Sequence, residues 1–417
     1  MPDDQQPASQ TAAHRNIPAL SGIRVVELGT FISAPFAATL LADFGAEVVK
    51  IELPGQGDPM RTLGAYPPQG GSSYWWSSIA RNKKSVALDV RVPAGREVLG
   101  RLIEDADVLI ENFRPGTLDR WGIDHAWLQA RNAGLIVARI SGYGQDGPWR
   151  DVPGFDRNAQ AFSGLVYVTG EPGTPPQQAG LPVCDFTAGL WTAFGVLVAL
   201  LGRQRHADSM GNEVDIGLYE TMIPFLKDMP QRWHHLGRIT ERTGNTPDYV
   251  APGGAYRSGD GQWIFISGTG DRVFERLMRA IDCEDLAADP RMARNEDRVR
   301  LRTEIDGAID RWLAARDSTE AVQLLQERDV PAVKIQNIAE VMTHPQVQAR
   351  RNFLEVPDAR LGSVCVTAPV PRLQAHGAEV RWPGQQVGEA TEQVLRGDLG
   401  YTEAQIDDLR RRGVIGG

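Results

Sequence analysis

The chain has 417 residues, 42% of them hydrophobic and 23% charged, with a formal charge of −9. That composition excludes a disordered or fibrous chain, and the length suits two or three domains with ample material for a core. The acidic balance argues against nucleic acid and anionic membrane as partners, since both demand a basic face.

Residues 1–18 mix Pro, Gln, Ala and Asp without an apolar block and read as a frayed tail, not a secretory signal. Gly22–Leu28 is a β-branched run ending at Gly29. Ser33-Ala34-Pro35 then opens an apolar helix that Gly45 closes. Ala46–Glu52 is the next strand, so the first 35 or so ordered residues form a βαβ unit with a parallel pair. The pattern repeats in strands Ser85–Val90, Asp107–Glu111 and Leu135–Ser141, with helices from Pro93 to Ala106 and His125 to Asn132 between them. Strands without polar alternation, separated by helices, predict an α/β fold with an open, mostly parallel Rossmann-like sheet covered on both faces. The first βα turn, Gly29 to Ser33, lacks the G-x-G-x-x-G spacing, which argues against a nicotinamide or flavin dinucleotide.

Gly142–Ala188, rich in Gly, Pro and aromatics, reads as loops around a site. Asp185–Arg205 is the longest apolar helix; its most apolar part, Leu190–Gly202, is too short to span a membrane and fits a buried helix. Glu213–Leu218 is a strand and Glu220–His235 a helix. Beyond Gly244 the texture changes to a hairpin (Ala255–Ser267, turning at Ser258-Gly259-Asp260-Gly261), short amphipathic helices, and a strand at Val330–Ile335. A smaller α+β domain is therefore expected over 246–338, between linkers at 230–245 and 339–351. Residues 352–417 return to the large domain begun by 19–229.

Three scattered cysteines, Cys184, Cys283 and Cys365, cannot complete a disulfide framework and point to a reducing cytoplasm. The seven histidines show no metal-ligand spacing, so no metal site is expected. Walker A and G-x-S-x-G motifs are absent from the sequence.

Four places could carry chemistry. Asp185 immediately precedes the apolar helix, where free N–H groups and the helix dipole favour an ionised carboxylate. It reads either as a plain N-cap or as a nucleophile. Glu111-Asn112-Phe113-Arg114-Pro115-Gly116, with Arg120 just beyond, sits at the carboxyl end of a parallel strand, as either a solvated turn or a ligand loop. Ser141 to Pro148 has the spaced glycines that let backbone approach a ligand, or simply turn. Lys occurs only at positions 50, 83, 84, 227 and 334, and two of the five stand in Arg81-Asn82-Lys83-Lys84. This run is either a solvated face or a phosphate site.

Taken in order, Leu20-Ser21-Gly22-Ile23, Ala34-Pro35, Leu41 to Glu52, Arg81 to Ser85, Asp107-Val108 with Glu111 to Gly116, Gly142 to Pro148, Asp185 and Gly211 to Leu218 resemble the class III coenzyme A transferases, the formyl-CoA and carnitine CoA-transferase family. The resemblance implies transfer of CoA from an acyl-CoA donor to a carboxylic acid, through aspartyl anhydride and aspartyl-CoA intermediates on Asp185. It implies CoA as substrate with no tightly bound cofactor, held by Phe31, Ile32, Ser33, Asn112, Phe113, Arg120 and Tyr143, with Arg81, Lys83 and Lys84 near the phosphates. It also implies an interlocked homodimer. Ile32 stands where formyl-CoA transferase has Gln, Leu53 where it has Arg, and its long glycine loop has no counterpart near Gly253-Gly254; the expected acceptor is larger than oxalate, a dicarboxylic or aryl acid. One branch of the family racemises α-methylacyl-CoA with a Gly-His-Asp motif, matched here by Gly154-Phe155-Asp156. Phe carries no proton, so racemisation ranks second, and a non-catalytic acyl-CoA binder is a further alternative.

Overall fold

The computed structural model describes residues 17–206 and 211–416. Most of the expected N-terminal tail lies outside them. The chain divides into two compact units, one from residues up to 159, 182–224 and 351 onward, the other from 160–181 and 225–350.

The larger unit is built on a seven-stranded sheet. Its strands are β1 (Arg24–Glu27), β2 (Glu47–Glu52), β3 (Lys83–Leu88), β4 (Val108–Glu111), β5 (Ile136–Ser141) and β6 (Glu213–Gly217), all paired in parallel. The order is β3-β2-β1-β4-β5-β6, and the C-terminal strand Ile415–Gly416 adds antiparallel to β3 at the edge. Val25, Val26, Val48, Val86, Val108 and Ile110 are buried, as expected for strands covered on both faces. The order reverses between β1 and β4, the point at which open sheets of this kind form a ligand crevice beyond the strands' carboxyl ends.

Two helices frame that crevice. Ser33–Asp43 buries a small-residue face, Ala34, Ala37, Ala38, Leu41 and Ala42. The 23-residue helix Val183–Arg205 packs across it. A Cβ on Gly189 would lie 2.8 Å from the Ser33 carbonyl oxygen and 2.9 Å from the Phe36 ring, so only glycine permits this approach. The long helix is half-buried, not buried as its composition suggested. Ala188, Thr192, Ala193, Val196 and Ala199 face inward, while Leu190, Phe194, Leu197, Val198 and Leu201 form an exposed stripe at helical spacing. By length and composition it is apolar enough to cross a bilayer, yet its small-residue face is fitted to protein.

Phe353–Asp358 and Gly362–Thr367 form a separate antiparallel hairpin in the larger unit. The smaller unit is a three-stranded antiparallel sheet, with Gly253–Arg257 and Trp263–Ser267 as the expected hairpin and Ala332–Lys334 beside it. Helices Asp271–Ala280, Arg302–Ala314 and Ser318–Glu327 cover it around Ile264, Ile266, Phe274, Ile309 and Leu325. This unit also takes up 160–181, which the sequence placed in the large domain. The reason is local bonding: Tyr167 donates to Glu241 at 2.8 Å, Arg242 donates to the Tyr167 carbonyl, and Gly244 N–H to the Gly170 carbonyl. The helix expected over Glu220–His235 is broken at Pro224 and Pro230 into a 3₁₀ segment, Leu218–Phe225, and a helix, Met229–Leu236.

Candidate active site

The loop Gly29–Pro35 leaves β1 at the point where the strand order reverses. Asn112, the first residue after β4, closes it from the other side. Its Oδ1 accepts from Thr30 N–H at 2.8 Å, and its Nδ2 donates to the Thr30 carbonyl at 2.8 Å and to Ser33 Oγ at 3.1 Å. Phe31 stands at the loop's tip with φ +63°, a conformation a bulky residue adopts only when its surroundings enforce it. Its N–H donates to Asp58 at 3.1 Å, and its side chain is 38% exposed. The neighbouring Ile32 side chain points the other way, into a core with Met60, Trp76 and Ile79. The sequence grouped Ile32 with ligand-facing residues; its side chain is instead the loop's anchor.

Beside this loop lies an open cleft of about 240 Å³ lined by Thr30, Leu53, Gln56, Arg91, Phe113 and Trp121, among others. Phe113 and Trp121 meet edge to face at 5.0 Å and form its aromatic wall. Arg91 is held on the rim by Asp89, Nε to Oδ1 at 2.8 Å and a second nitrogen to Oδ2 at 2.8 Å. Arg120 is exposed near the same loop and donates to Thr117 Oγ1 at 2.8 Å. The sequence reading missed Arg91. The signal was a lone basic residue just past the carboxyl end of a strand, overlooked in favour of a basic run.

That run is not at the surface. Lys83 is 1% exposed; its ammonium lies 2.8 Å from Glu27 Oε2 and donates to the Pro35 carbonyl at 2.6 Å. Burial, with the like charge of Lys50 adding to it, pulls Lys83 down to about 8 against the opposing pull of Glu27. Arg81 is buried in a bidentate pair with Asp43, 2.7 Å for the shorter contact. Lys84 points to the opposite face and pairs with Glu47. The geometry therefore takes Arg81 and Lys83 away from the phosphate contact the sequence suggested: carboxylates from β1 and the first helix reach them first.

Asp185 lies in the first turn of Val183–Arg205, one turn from Gly189 and hence beside the Ser33 end of the loop. The sequence left it as either a plain N-cap or a nucleophile, ionised at neutral pH. The cap is Asp156, whose Oδ1 accepts from Cys184 N–H at 2.8 Å and Asp185 N–H at 3.2 Å. Asp185 is half-buried, and burial pushes its carboxyl up to about 7, with the Asp156 charge adding to the rise. The Cys184 thiol is pushed up to about 12, by burial first and the two aspartates next, which silences it as a nucleophile.

Tyr143 reaches this end of the site from β5. Its ring packs edge-on against Trp149 at 5.1 Å and tilted against Tyr219 at 6.0 Å. Gly154 sits so close that a Cβ there would lie 3.0 Å from the Tyr143 ring. Gly144 N–H donates to Ser141 Oγ and Gln145 N–H to Asp215, which fixes the turn. Gly154-Phe155-Asp156 thus links the Tyr143 loop to the start of the Asp185 helix. Phe155 is 68% exposed. The structure brings Phe31, Ser33 and Asn112 together at the crevice, Phe113 to the adjoining cleft, and Asp185 to the far end of the same loop.

The sequence model of CoA-transferase family III matches residues 20–391. The chain is 40% identical to succinyl-CoA–D-citramalate CoA-transferase of Chloroflexus aurantiacus over 95% of its length and 98% of that protein's. It is 37% identical to the α subunit of succinyl-CoA–L-malate CoA-transferase of the same organism, over 99% of this chain and 96% of the other. Among solved structures it is similar to a CAIB/BAIF family protein from Brucella suis, with a TM-score of 0.81 and 29% identity, covering 92% of this chain and all of that one.

Proposed function

The chain belongs to CoA-transferase family III and is a CoA-transferase, and from that premise we propose that Asp185 is the nucleophile that moves coenzyme A from an acyl-CoA donor to a carboxylic acid. The observation that carries this is the placement of a half-buried carboxylate in the first turn of a long helix, fitted by Gly189 against the loop that borders the crevice. In its ionised form an Asp185 oxygen attacks the thioester carbonyl carbon. The C–S bond breaks, the thiolate leaves with the electron pair, and a mixed anhydride remains. The retained thiolate attacks the aspartyl carbonyl of that anhydride, freeing the donor as a carboxylate and leaving an aspartyl-CoA thioester. The acceptor carboxylate then runs the two steps in reverse. Holding the thiolate in place makes each step effectively unimolecular.

CoA lies, in this reading, over the Phe31–Ser33 loop, Asn112, Phe113 and Tyr143. Arg91, exposed on the cleft's rim, suits its phosphates, and Arg120, exposed one residue before the lining Trp121, is a second guanidinium for them. Two relatives named for succinyl-CoA and a hydroxylated dicarboxylic acid support succinyl-CoA as donor and a four- or five-carbon dicarboxylate as acceptor. Ile32, turned into the core, places no polar side chain where a small acid such as oxalate would need one. The solvent-facing stripe Leu190, Phe194, Leu197, Val198 and Leu201 supports the homodimer the family resemblance implies.

Asp185→Ala is expected to abolish transfer while CoA still binds. Hydroxylamine added during turnover with succinyl-CoA should convert Asp185 to a hydroxamate, read by peptide mass. Retained turnover in the variant, or label on another residue, refutes the assignment.

A further inference from the structure

Beneath the loop Gly29–Pro35 lies a set of buried charges that the transfer reaction does not itself use. Lys50, 1% exposed, contacts Glu27 Oε1 at 2.7 Å and Asp58 Oδ2 at 2.8 Å, and donates to the Gly29 carbonyl at 2.8 Å. Asp58 turns its other oxygen upward to accept Phe31 N–H at 3.1 Å and Met60 N–H at 2.8 Å. Lys83 pairs with the second oxygen of Glu27 and donates to the Pro35 carbonyl. Glu52 and Arg61 complete the group with a buried pair of their own, so three cations balance three carboxylates. Apolar side chains would fill such a space at no cost in stability, and often with a gain. What apolar side chains cannot do is fix carbonyl and N–H groups of the loop at its start, tip and end.

We propose that Lys83, with Lys50 and Asp58, is a positioning residue that locks the Gly29–Pro35 loop in its strained form, so that CoA meets a preformed seat next to Asp185. The proposal rests on the reading of that loop as CoA's seat. It reverses the role the sequence suggested for Lys83: the ammonium acts from inside the fold, through Glu27 and Pro35, and touches no phosphate. A preorganised loop matters because a displacement of about 1 Å at a binding group costs up to a hundredfold in rate.

The test is Lys83→Met, which keeps the length of the side chain and removes its charge. Affinities for CoA and 3′-dephospho-CoA are measured by calorimetry, beside wild type and Asp185→Ala. The expected result is that both ligands weaken by the same factor, about tenfold, while thermal unfolding stays cooperative. A loss confined to CoA means a phosphate contact and overturns the proposal. Unchanged affinity for both ligands, with only a lower melting temperature, reduces Lys83 to a packing role and also overturns it. If Lys83→Met does not fold, Asp58→Asn is read in its place: it keeps an acceptor for Phe31 N–H but drops the charge that Lys50 holds, and the same equal loss is expected. No CoA binding by wild type overturns the proposal together with the seat on which it rests. Turnover retained by Asp185→Ala sinks only the nucleophile, since the binding comparison does not depend on it.

Discussion

Asp185→Asn should make the protein more stable and less active, and the size of the gain depends on pH. Burial and the Asp156 charge raise the native carboxyl from its ordinary 3.8 to about 7. A raised acid binds its proton more tightly in the fold than in the unfolded chain, so the native state holds more protons between those values. Stability attributable to this group is therefore fully present below the unfolded value and is lost as pH climbs toward 7. Three pH units correspond to about 4 kcal/mol. Because the side chain is only half-buried, solvent screening cuts that to about 1–2 kcal/mol. Asn carries no charge and escapes the penalty. With about 2–4 °C per kcal/mol for a unit of this size, the variant should melt about 2–8 °C above wild type at pH 8. The difference should shrink toward zero near pH 4.5. Scanning calorimetry of both proteins at pH 4.5, 6 and 8 measures this directly. Equal melting at pH 8, or a wild type that is the more stable there, would refute the buried-charge argument.

In the proposed mechanism the same pair of carboxylates sets the pH profile. kcat/KM for the acyl-CoA should rise through pH 7 as Asp185 ionises; Asp156→Asn keeps an oxygen for the two N–H groups and removes the like charge, so the rising limb should move down by about half to one pH unit. A limb that stays put would show that Asp156 acts only as a cap. The helix stripe predicts assembly: wild type should sediment as a dimer, and Leu190→Asp with Phe194→Asp should dissociate it, each lost apolar contact costing about 1.5–3 kcal/mol. A monomeric wild type would leave that stripe without the second copy assigned to it.

The six parallel strands were legible, five from apolar β-branched runs and the sixth, Glu213–Gly217, from its alternation of acidic and apolar residues, and the place of Asp185 in the first turn of the longest apolar helix was legible from that helix's composition. What escaped notice was what arrives from elsewhere in the chain. Asp156 is 29 positions from the N–H group of Asp185 that it bonds, and nothing local marks it as a cap. The misplacement of Lys83 had a readable warning. Lys50 interrupts the apolar run of β2, while Glu27 ends β1 and Lys83 opens β3. Register pairs Glu27 with Lys50, and Lys50 with Ser85, two residues along β3 from Lys83 and on the same face. Opposite charges at neighbouring positions inside strands covered on both faces must pair internally, because no water is there to hold them. Reading Arg81 to Lys84 as a run obscured this alternation.

The adjacency of Cys184 and Asp185 poses a chemical choice that the fold resolves by burial. In water the thiolate would be the stronger nucleophile of the two. The same environment that lifts the carboxyl to about 7 lifts the thiol to about 12. At pH 8 roughly nine-tenths of Asp185 is ionised, against roughly one Cys184 in 10⁴. Only the oxygen nucleophile is available, and attack by a carboxylate on a thioester yields an anhydride, an acyl group activated enough to react again with the thiolate just released. Under the proposed mechanism, burial thus costs the carboxylate part of its charge and in return selects the residue whose adduct can carry CoA in both directions.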